Sequence, residues 1–145
     1  PDGKTLYVTL PDFSVQILRA SDGFSIDSFP EASGFMPLVN FKEGTLIYST
    51  SNGSLKKFSI ATKKLLWEID LGKKGVATEV YPLKNGLGLF ASTRWGLHLV
   101  NLESGKILDN YYVGDGILSK PVSDGSKIYL MTGRGRLLFF KILTK

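Results

Sequence analysis

The chain contains no cysteine, only one histidine and only two methionines among its 145 residues. Without cysteine it can form no disulfide and no thiolate metal site, and it has no cysteine nucleophile. A single histidine, His98, without clustered carboxylates, does not favour a transition-metal site. No apolar run approaches the roughly 18 residues that a membrane-spanning helix needs. These shortages argue against thiol chemistry, against metal chemistry and against a membrane span.

Segments that favour a helix are also missing, whereas glycine is plentiful. The 16 glycines and six prolines fit a turn-rich β protein better than a helical one. The length suits one domain with a real core. Because the chain begins at Pro1 rather than Met, we expect it to be a piece of a longer protein. It shows no basic start followed by an apolar run, so we expect any signal peptide to be absent or removed. The net charge of +5 permits an acidic partner and requires none.

An internal repeat of about 40 residues organises the chain. A glycine that follows Asp, Glu or Asn recurs at Gly3, Gly44, Gly86 and Gly125. Four residues after each comes an aromatic residue, at Tyr7, Tyr48, Phe90 and Tyr129. An aliphatic residue follows seven or eight positions later, at Val15, Leu55, Leu97 and Leu137. A period of about 40 built from short strands predicts the blades of a β-propeller.

Each repeat divides into four predicted strands, A to D, joined by tight turns. Asn52-Gly53 is a strong signal for an A–B hairpin. The B–C turns place a glycine at the left-handed position in the first and third repeats, and Lys63 replaces it in the second, where we expect strain or a different shape. Strand D contains a proline in each of the three complete repeats, so we assign it to the outer edge of a blade, where a missing N–H is tolerated. These prolines are Pro37, Pro82 and Pro121.

We therefore predict an all-β fold, a β-propeller of four-stranded antiparallel blades, with about three and a half blades present. Residues 1–145 form one propeller segment, with repeats at about 3–43, 44–85, 86–124 and an incomplete 125–145. Closed propellers have roughly four to eight blades. Either the chain is the C-terminal part of a larger propeller, which we favour, or two copies close one ring of about seven blades.

The segment from Gly44 to Ile69 resembles the repeat of pyrroloquinoline-quinone-type β-propellers. Thr62, Lys64 and Trp67 match the Thr, Lys and docking Trp of that repeat, while Ser59 and Lys63 stand where Asp and Gly are usual. The opening PDGKTLYVT resembles the related YVTN-type propeller repeat. The resemblance implies scaffolds of the bacterial envelope or periplasm, such as a propeller lipoprotein of outer-membrane barrel assembly, beside quinone-dependent dehydrogenases.

Little in the sequence predicts catalysis. We interpret His98 as a hydrogen-bonded packing residue within a strand, and no Gly-x-Ser-x-Gly nucleophile elbow occurs. Quinone chemistry would need acidic residues such as Asp70, Asp109 and Asp115, but turns of any β protein supply these. The Thr-Gly-Arg-Gly-Arg run at 132–136 lacks the ending and the helix of a phosphate loop. We predict no catalytic, cofactor-binding or metal-binding residue.

One candidate site spans several repeats. All A–B turns of a propeller lie on one face, and here we expect that face to form a basic arc around one tryptophan. Its predicted residues are Lys56, Lys57, Arg94, Trp95, Arg134 and Arg136. Trp and Arg are enriched at binding hot spots, and a basic strip also suits phosphates. The alternative is that these are solvated turn residues and that Trp95 folds back on its own blade.

The remaining aromatic residues are predicted to fill the interfaces between blades. They are Phe58, Trp67, Tyr81, Tyr111, Tyr112, Phe139 and Phe140. The predicted function is thus a non-enzymatic scaffold that presents a binding surface to a protein partner, and the resemblance implies a setting in the cell envelope or periplasm. Part of a quinone-dependent dehydrogenase is the alternative, and polyanion or nucleic-acid binding through the basic face is a further, less favoured one. Self-association, or pairing with missing blades of the same protein, is also open.

Overall fold

A computed structural model describes residues 3–40 and 42–141. The first sheet contains β1 (Thr5–Leu10), β2 (Ser14–Arg19) and β3 (Ser25–Phe29), and the second contains β4 (Leu38–Asn40), β5 (Thr45–Ser49), β6 (Ser54–Ser59) and β7 (Leu65–Asp70). The third contains β8 (Tyr81–Pro82), β9 (Leu87–Ala91), β10 (Gly96–Asn101) and β11 (Ile107–Tyr112). The fourth contains β12 (Val122–Ser123), β13 (Lys127–Met131) and β14 (Leu137–Lys141). One 3-10 turn, Gly72–Lys74, follows β7.

The four sheets are the blades of a partial β-propeller, which confirms the predicted fold. Every strand pairs antiparallel with its neighbour, and the order in each sheet follows the chain. Three buried apolar clusters hold the sheets face to face, one between each successive pair. Burial of the apolar faces of two successive sheets against each other is therefore the main stabilising contribution at each interface.

The assignment of strand D to the outer edge is wrong. β4, the strand D of the first repeat, pairs with β5 of the second repeat, and β8 and β12 are used in the same way. The second, third and fourth sheets thus begin one strand before the sequence repeat. The opposite edge, formed by β7 and β11, is the more exposed one. The prolines still lie in or beside an edge strand, where the missing N–H breaks no ladder.

The aromatic marker of the repeat does not keep one orientation. Tyr48 and Phe90 face the preceding sheet, whereas Tyr129 lies opposite Phe139 on the far face of the last sheet. Tyr7 contacts the following sheet. Side chains alternate between faces along a strand, so one additional residue in the preceding turn moves the aromatic side chain to the opposite face of the sheet. The aliphatic positions keep their register, since each lies on the face that points toward the next sheet.

Trp67 docks the second sheet onto the third. Its indole N–H donates to the carbonyl of Leu102 over 3.1 Å, and the Lys57 ammonium donates to the same oxygen over 3.0 Å. A Cβ at Gly105 would lie 2.7 Å from Trp67 Cδ2, so the B–C turn of the third sheet fits only glycine there. At the preceding interface, Lys63 bonds Asp27 and has a φ of 54°, which agrees with the strain expected for that turn.

Candidate functional site

The A–B turns do lie on one surface. Each turn is joined to the loop that leaves the preceding sheet by backbone hydrogen bonds, for example from Arg94 N–H to Lys74 O (3.1 Å) and from Gly133 N–H to Gly116 O (2.7 Å). We call this surface the A–B turn face, and define it by the turns at 50–53, 92–95 and 132–135 with the loops at 71–76 and 113–117. Turns and loops thereby form one continuous surface across the second, third and fourth sheets.

Trp95 is the centre of this face. Its ring packs at 51° against Tyr112, with 4.9 Å between centroids, and the Lys74 ammonium lies 5.2 Å from the centroid of the indole. The indole nitrogen is buried and has no hydrogen-bond partner among the described residues. Arg94, the next residue in the turn, is exposed. Trp95 therefore does pack on its own blade, yet it remains partly exposed beside two cationic side chains.

Arg134 and Arg136 are bound to a carboxylate. Asp115, which is only 8% exposed, pairs with Arg134 Nε at 3.4 Å and accepts a hydrogen bond from Arg136. A buried carboxylate needs such partners, so the two arginines serve the contact between the third and fourth sheets. Their side chains nevertheless remain 82% and 58% exposed.

The two predicted lysines lie on opposite faces of β6. Lys56 pairs with Glu31 at 3.0 Å, near the A–B turn face, and with Glu68 at 3.8 Å. Lys57 is 5% exposed, and its ammonium contacts Glu43 at 3.3 Å, at the other end of the strands. The placement of Lys57 on the basic arc is therefore wrong. Consecutive residues of a strand point to opposite faces, so Lys56 points toward Glu31 and Lys57 toward Leu102 of the third sheet.

Lys74 and Tyr112 complete the surroundings of Trp95, and neither was among the predicted site residues. The sequence predicts Tyr112 and Phe139 at interfaces between blades, but they are 59% and 69% exposed. Tyr111 is 56% exposed and does contact the next sheet, with 4.9 Å between its ring centroid and that of Phe140. Tyr112 lies opposite Gly96 in the β10–β11 ladder, and Gly96 directly follows Trp95. Predicting the register of this hairpin from the sequence would therefore have placed Tyr112 beside the A–B turn. The contact with Lys74 crosses from another sheet, and no local signal indicates it.

His98 has the packing role that the sequence predicts. It is fully buried and stacks on Phe90, with 4.8 Å between the ring centroids. Its Nε2 and the Ser92 hydroxyl share one hydrogen bond of 3.1 Å. Burial, and to a lesser degree the nearby Lys74 charge, lowers its pKa to about 4. At neutral pH the ring is therefore uncharged.

The acidic residues considered for quinone chemistry do different work. Asp70 accepts the backbone N–H of Gly72 over 2.7 Å, Asp109 accepts that of Asn110 over 2.8 Å, and Asp115 holds the two arginines. Within 3–40 and 42–141, no group of three His, Asp or Glu residues is arranged to hold a metal ion. No helix in that same part of the chain has the length and apolar character to cross a membrane.

Comparison with protein-family models gives no match, and comparison with curated proteins gives none either. Many solved structures are similar. BamB from Moraxella catarrhalis matches 97% of this chain over 48% of its own, with 16% identity and a TM-score of 0.72. The computationally designed proteins Ika8 and Ika4 have TM-scores of 0.73, at 16% and 11% identity.

These similarities show the β-propeller fold and do not extend to function, because the identities are low. The chain spans about half the length of BamB and 44% of the length of Ika8, but 86% of the length of Ika4. The stack of four sheets thus corresponds to about half of the chain in BamB and Ika8, and to most of the chain in Ika4.

Proposed function

We propose that the chain is a non-enzymatic scaffold that binds a protein partner through the A–B turn face. The observation that carries the proposal is the fixed position of Trp95, between Tyr112 and Lys74 and next to the exposed Arg94. A rigid aromatic ring with adjacent cations is a typical binding hot spot, because little side-chain entropy is lost when a partner covers it. An envelope or periplasmic setting belongs to this proposal and rests on the repeat resemblance alone.

The charges on this face favour a protein partner over a nucleic acid. Asp115 already engages two of the three predicted arginines, Arg134 and Arg136, and Glu31 engages Lys56. What remains around Trp95 is a local combination of aromatic and cationic groups. A continuous basic strip, as phosphate backbones require, is interrupted by these pairings. We therefore infer a partner segment with an apolar side chain for Trp95 and a carboxylate for Lys74 and Arg94.

A site-specific photo-crosslinker tests this face. Placed at position 94, it should capture a discrete partner from the envelope fraction of the source cell. Placed at Glu103, an exposed residue beyond the other end of β10, it serves as the matched control and should capture none. Adding Trp95→Ala to the position-94 protein should weaken the purified complex by roughly 30-fold, which corresponds to a hot-spot loss of about 2 kcal/mol.

Circular dichroism must first show that Trp95→Ala leaves the fold intact. An unchanged affinity in a folded Trp95→Ala protein, or equal capture from positions 94 and 103, would exclude this face as the binding surface. Salt-sensitive binding to an RNA or DNA oligomer, lost on Arg94→Glu, would instead support the polyanion alternative.

A further inference from the structure

The two ends of the stack expose apolar sheet faces. On the first sheet, the face directed away from the second presents Leu6, which is 49% exposed, and Ile26, which is 53% exposed. On the fourth sheet, the face directed away from the third presents Leu137 at 64% and Phe139 at 69%. We call these the leading face and the trailing face. Contiguous exposed apolar surface of this kind marks an interaction site on a soluble protein.

The leading face repeats the pattern of a buried interface. The β1–β2 ladder pairs Leu6 with Leu18, just as the β5–β6 ladder pairs Leu46 with Phe58. In the second sheet these residues, together with Tyr48, contact the cluster that covers the first sheet. The leading face therefore has the composition of a surface that receives a preceding blade.

The trailing face repeats the other half of the same interface. The β13–β14 ladder pairs Tyr129 with Phe139 and Met131 with Leu137. The β9–β10 ladder of the third sheet pairs Leu89 with Leu99 and Ala91 with Leu97 in the same arrangement, and these four residues contact the fourth sheet. The trailing face is thus built to receive a following blade.

We propose that the trailing face of one copy docks on the leading face of a second copy, and that two copies close one ring of eight sheets. Both halves of a blade interface are present on every molecule, so each copy offers what the other lacks. Such a contact is heterologous, and it terminates only if the ring closes, here through a two-fold axis that makes both contacts identical. Eight blades lie within the size range of closed propellers. The inference is independent of the proposed partner site.

Light scattering on the 145-residue protein tests the proposal. It should give a discrete particle with twice the chain mass of 15.9 kDa. The melting temperature should rise with protein concentration, because association stabilises the folded state by mass action. A monomer at tens of micromolar would overturn the proposal and would indicate that further blades of a longer chain cover these faces. A ladder of growing oligomers would also overturn it, since it would mean that the contact does not close.

Two charge variants test which faces meet. Leu6→Lys and Leu137→Glu each alter a residue that is about half exposed or more, so both should fold. The buried residues at the corresponding positions of the first interface, Val15 and Leu46, share one cluster, so we expect Leu137 to meet Leu6. Each variant alone should be monomeric, because the homodimer would bury the new charge at both contacts.

Mixing the two variants should restore a dimer. The mixed ring contains one unaltered contact and one contact in which lysine meets glutamate. A dimer that joins like faces would instead keep one variant dimeric and would gain nothing from mixing. Retention of the dimer by both single variants, or failure of the mixture to associate, would contradict head-to-tail closure.

Discussion

His98 is a fully buried histidine whose ring lies between Phe90 and the Ser92 hydroxyl. Its Nδ1 has no hydrogen-bond partner among the described residues. Neither Phe90 nor the Ser92 hydroxyl carries a negative charge that would offset a proton, and the nearby Lys74 charge opposes one. Protonation of this ring therefore destabilises the folded state, so the free energy of unfolding depends on pH.

We predict that acid destabilises the protein through His98. The folded pKa of about 4 lies below the ordinary value of 6.5, so the unfolded chain binds more protons between these values. The contribution of the neutral ring to stability is complete above pH 6.5 and is lost as the pH falls toward 4. Relative to His98→Gln, the natural protein should lose up to about 3 kcal/mol of unfolding free energy over this range.

Urea unfolding at pH 7, 6, 5 and 4.5 measures this difference. Glutamine is the matched replacement, because Gln16 occupies the corresponding position of β2. The carboxylates titrate in both proteins, so their contributions cancel in the comparison. Parallel pH profiles for the two proteins would show that His98 titrates normally.

The B–C turns share one backbone conformation at one position but differ there in residue type and in surroundings. Gly23, Lys63 and Gly105 all have positive φ, at 73°, 54° and 74°. Only at Gly105 is the space above the Cα occupied, by Trp67 of the preceding sheet, whereas at Gly23 nothing lies within 4 Å. The same backbone conformation thus carries a packing constraint in one turn and none in the other.

We predict that Gly105→Ala destabilises the protein more than Gly23→Ala. Both add a side chain at positive φ, which costs roughly 1 kcal/mol. Gly105→Ala must also displace the Trp67 ring, so an additional cost of about 1–3 kcal/mol is expected from overpacking. Chemical denaturation with tryptophan fluorescence measures both. An equal loss of unfolding free energy in the two variants would mean that the Trp67 ring can move away from the added methyl group without destabilising the protein.

At the scale of strands, local signals explain what could be predicted. The A–B hairpin at Asn52-Gly53 is confirmed by the β5–β6 pairing, since alternating side chains and a glycine turn mark it in the sequence. The position of strand D in the sheet was predicted wrongly. β8 and β12 each contain only two residues, and the strand with which each pairs depends on the topology of the whole stack. Pairing across a repeat boundary is non-local, and no feature of the segment itself reveals it.

The candidate site shows the same limit. Arg94, Trp95 and Arg134 lie in the A–B turns, because hairpin turns project to one side of the sheets. Lys57 was misplaced because its partners, Glu43 and the Leu102 carbonyl, are brought to it from other segments of the chain. A buried lysine cannot be distinguished from an exposed one by residue type, since its burial depends on those distant acceptors.

At the scale of the whole molecule, the core formed by residues 3–40 and 42–141 consists of three separate clusters that share no residue. Each cluster lies between two successive sheets, and stacked sheets are roughly 10 Å apart. The fold is therefore a linear array in which a sheet contacts only its neighbours. Stability in such an array is close to a sum of local interface contributions.

We therefore predict that core substitutions at the first and last interfaces are additive. Ile17 belongs to the cluster between the first and second sheets, and Ile128 to the cluster between the third and fourth. Each change to valine should cost about 0.5–1.5 kcal/mol of unfolding free energy. The double variant should equal the sum within roughly 0.5 kcal/mol, because two sheets separate the sites. Ile17→Val combined with Leu46→Val, within one cluster, is the control that should deviate. Coupling between the distant pair as strong as within the control, at one fixed protein concentration, would mean that the sheets respond as a single core.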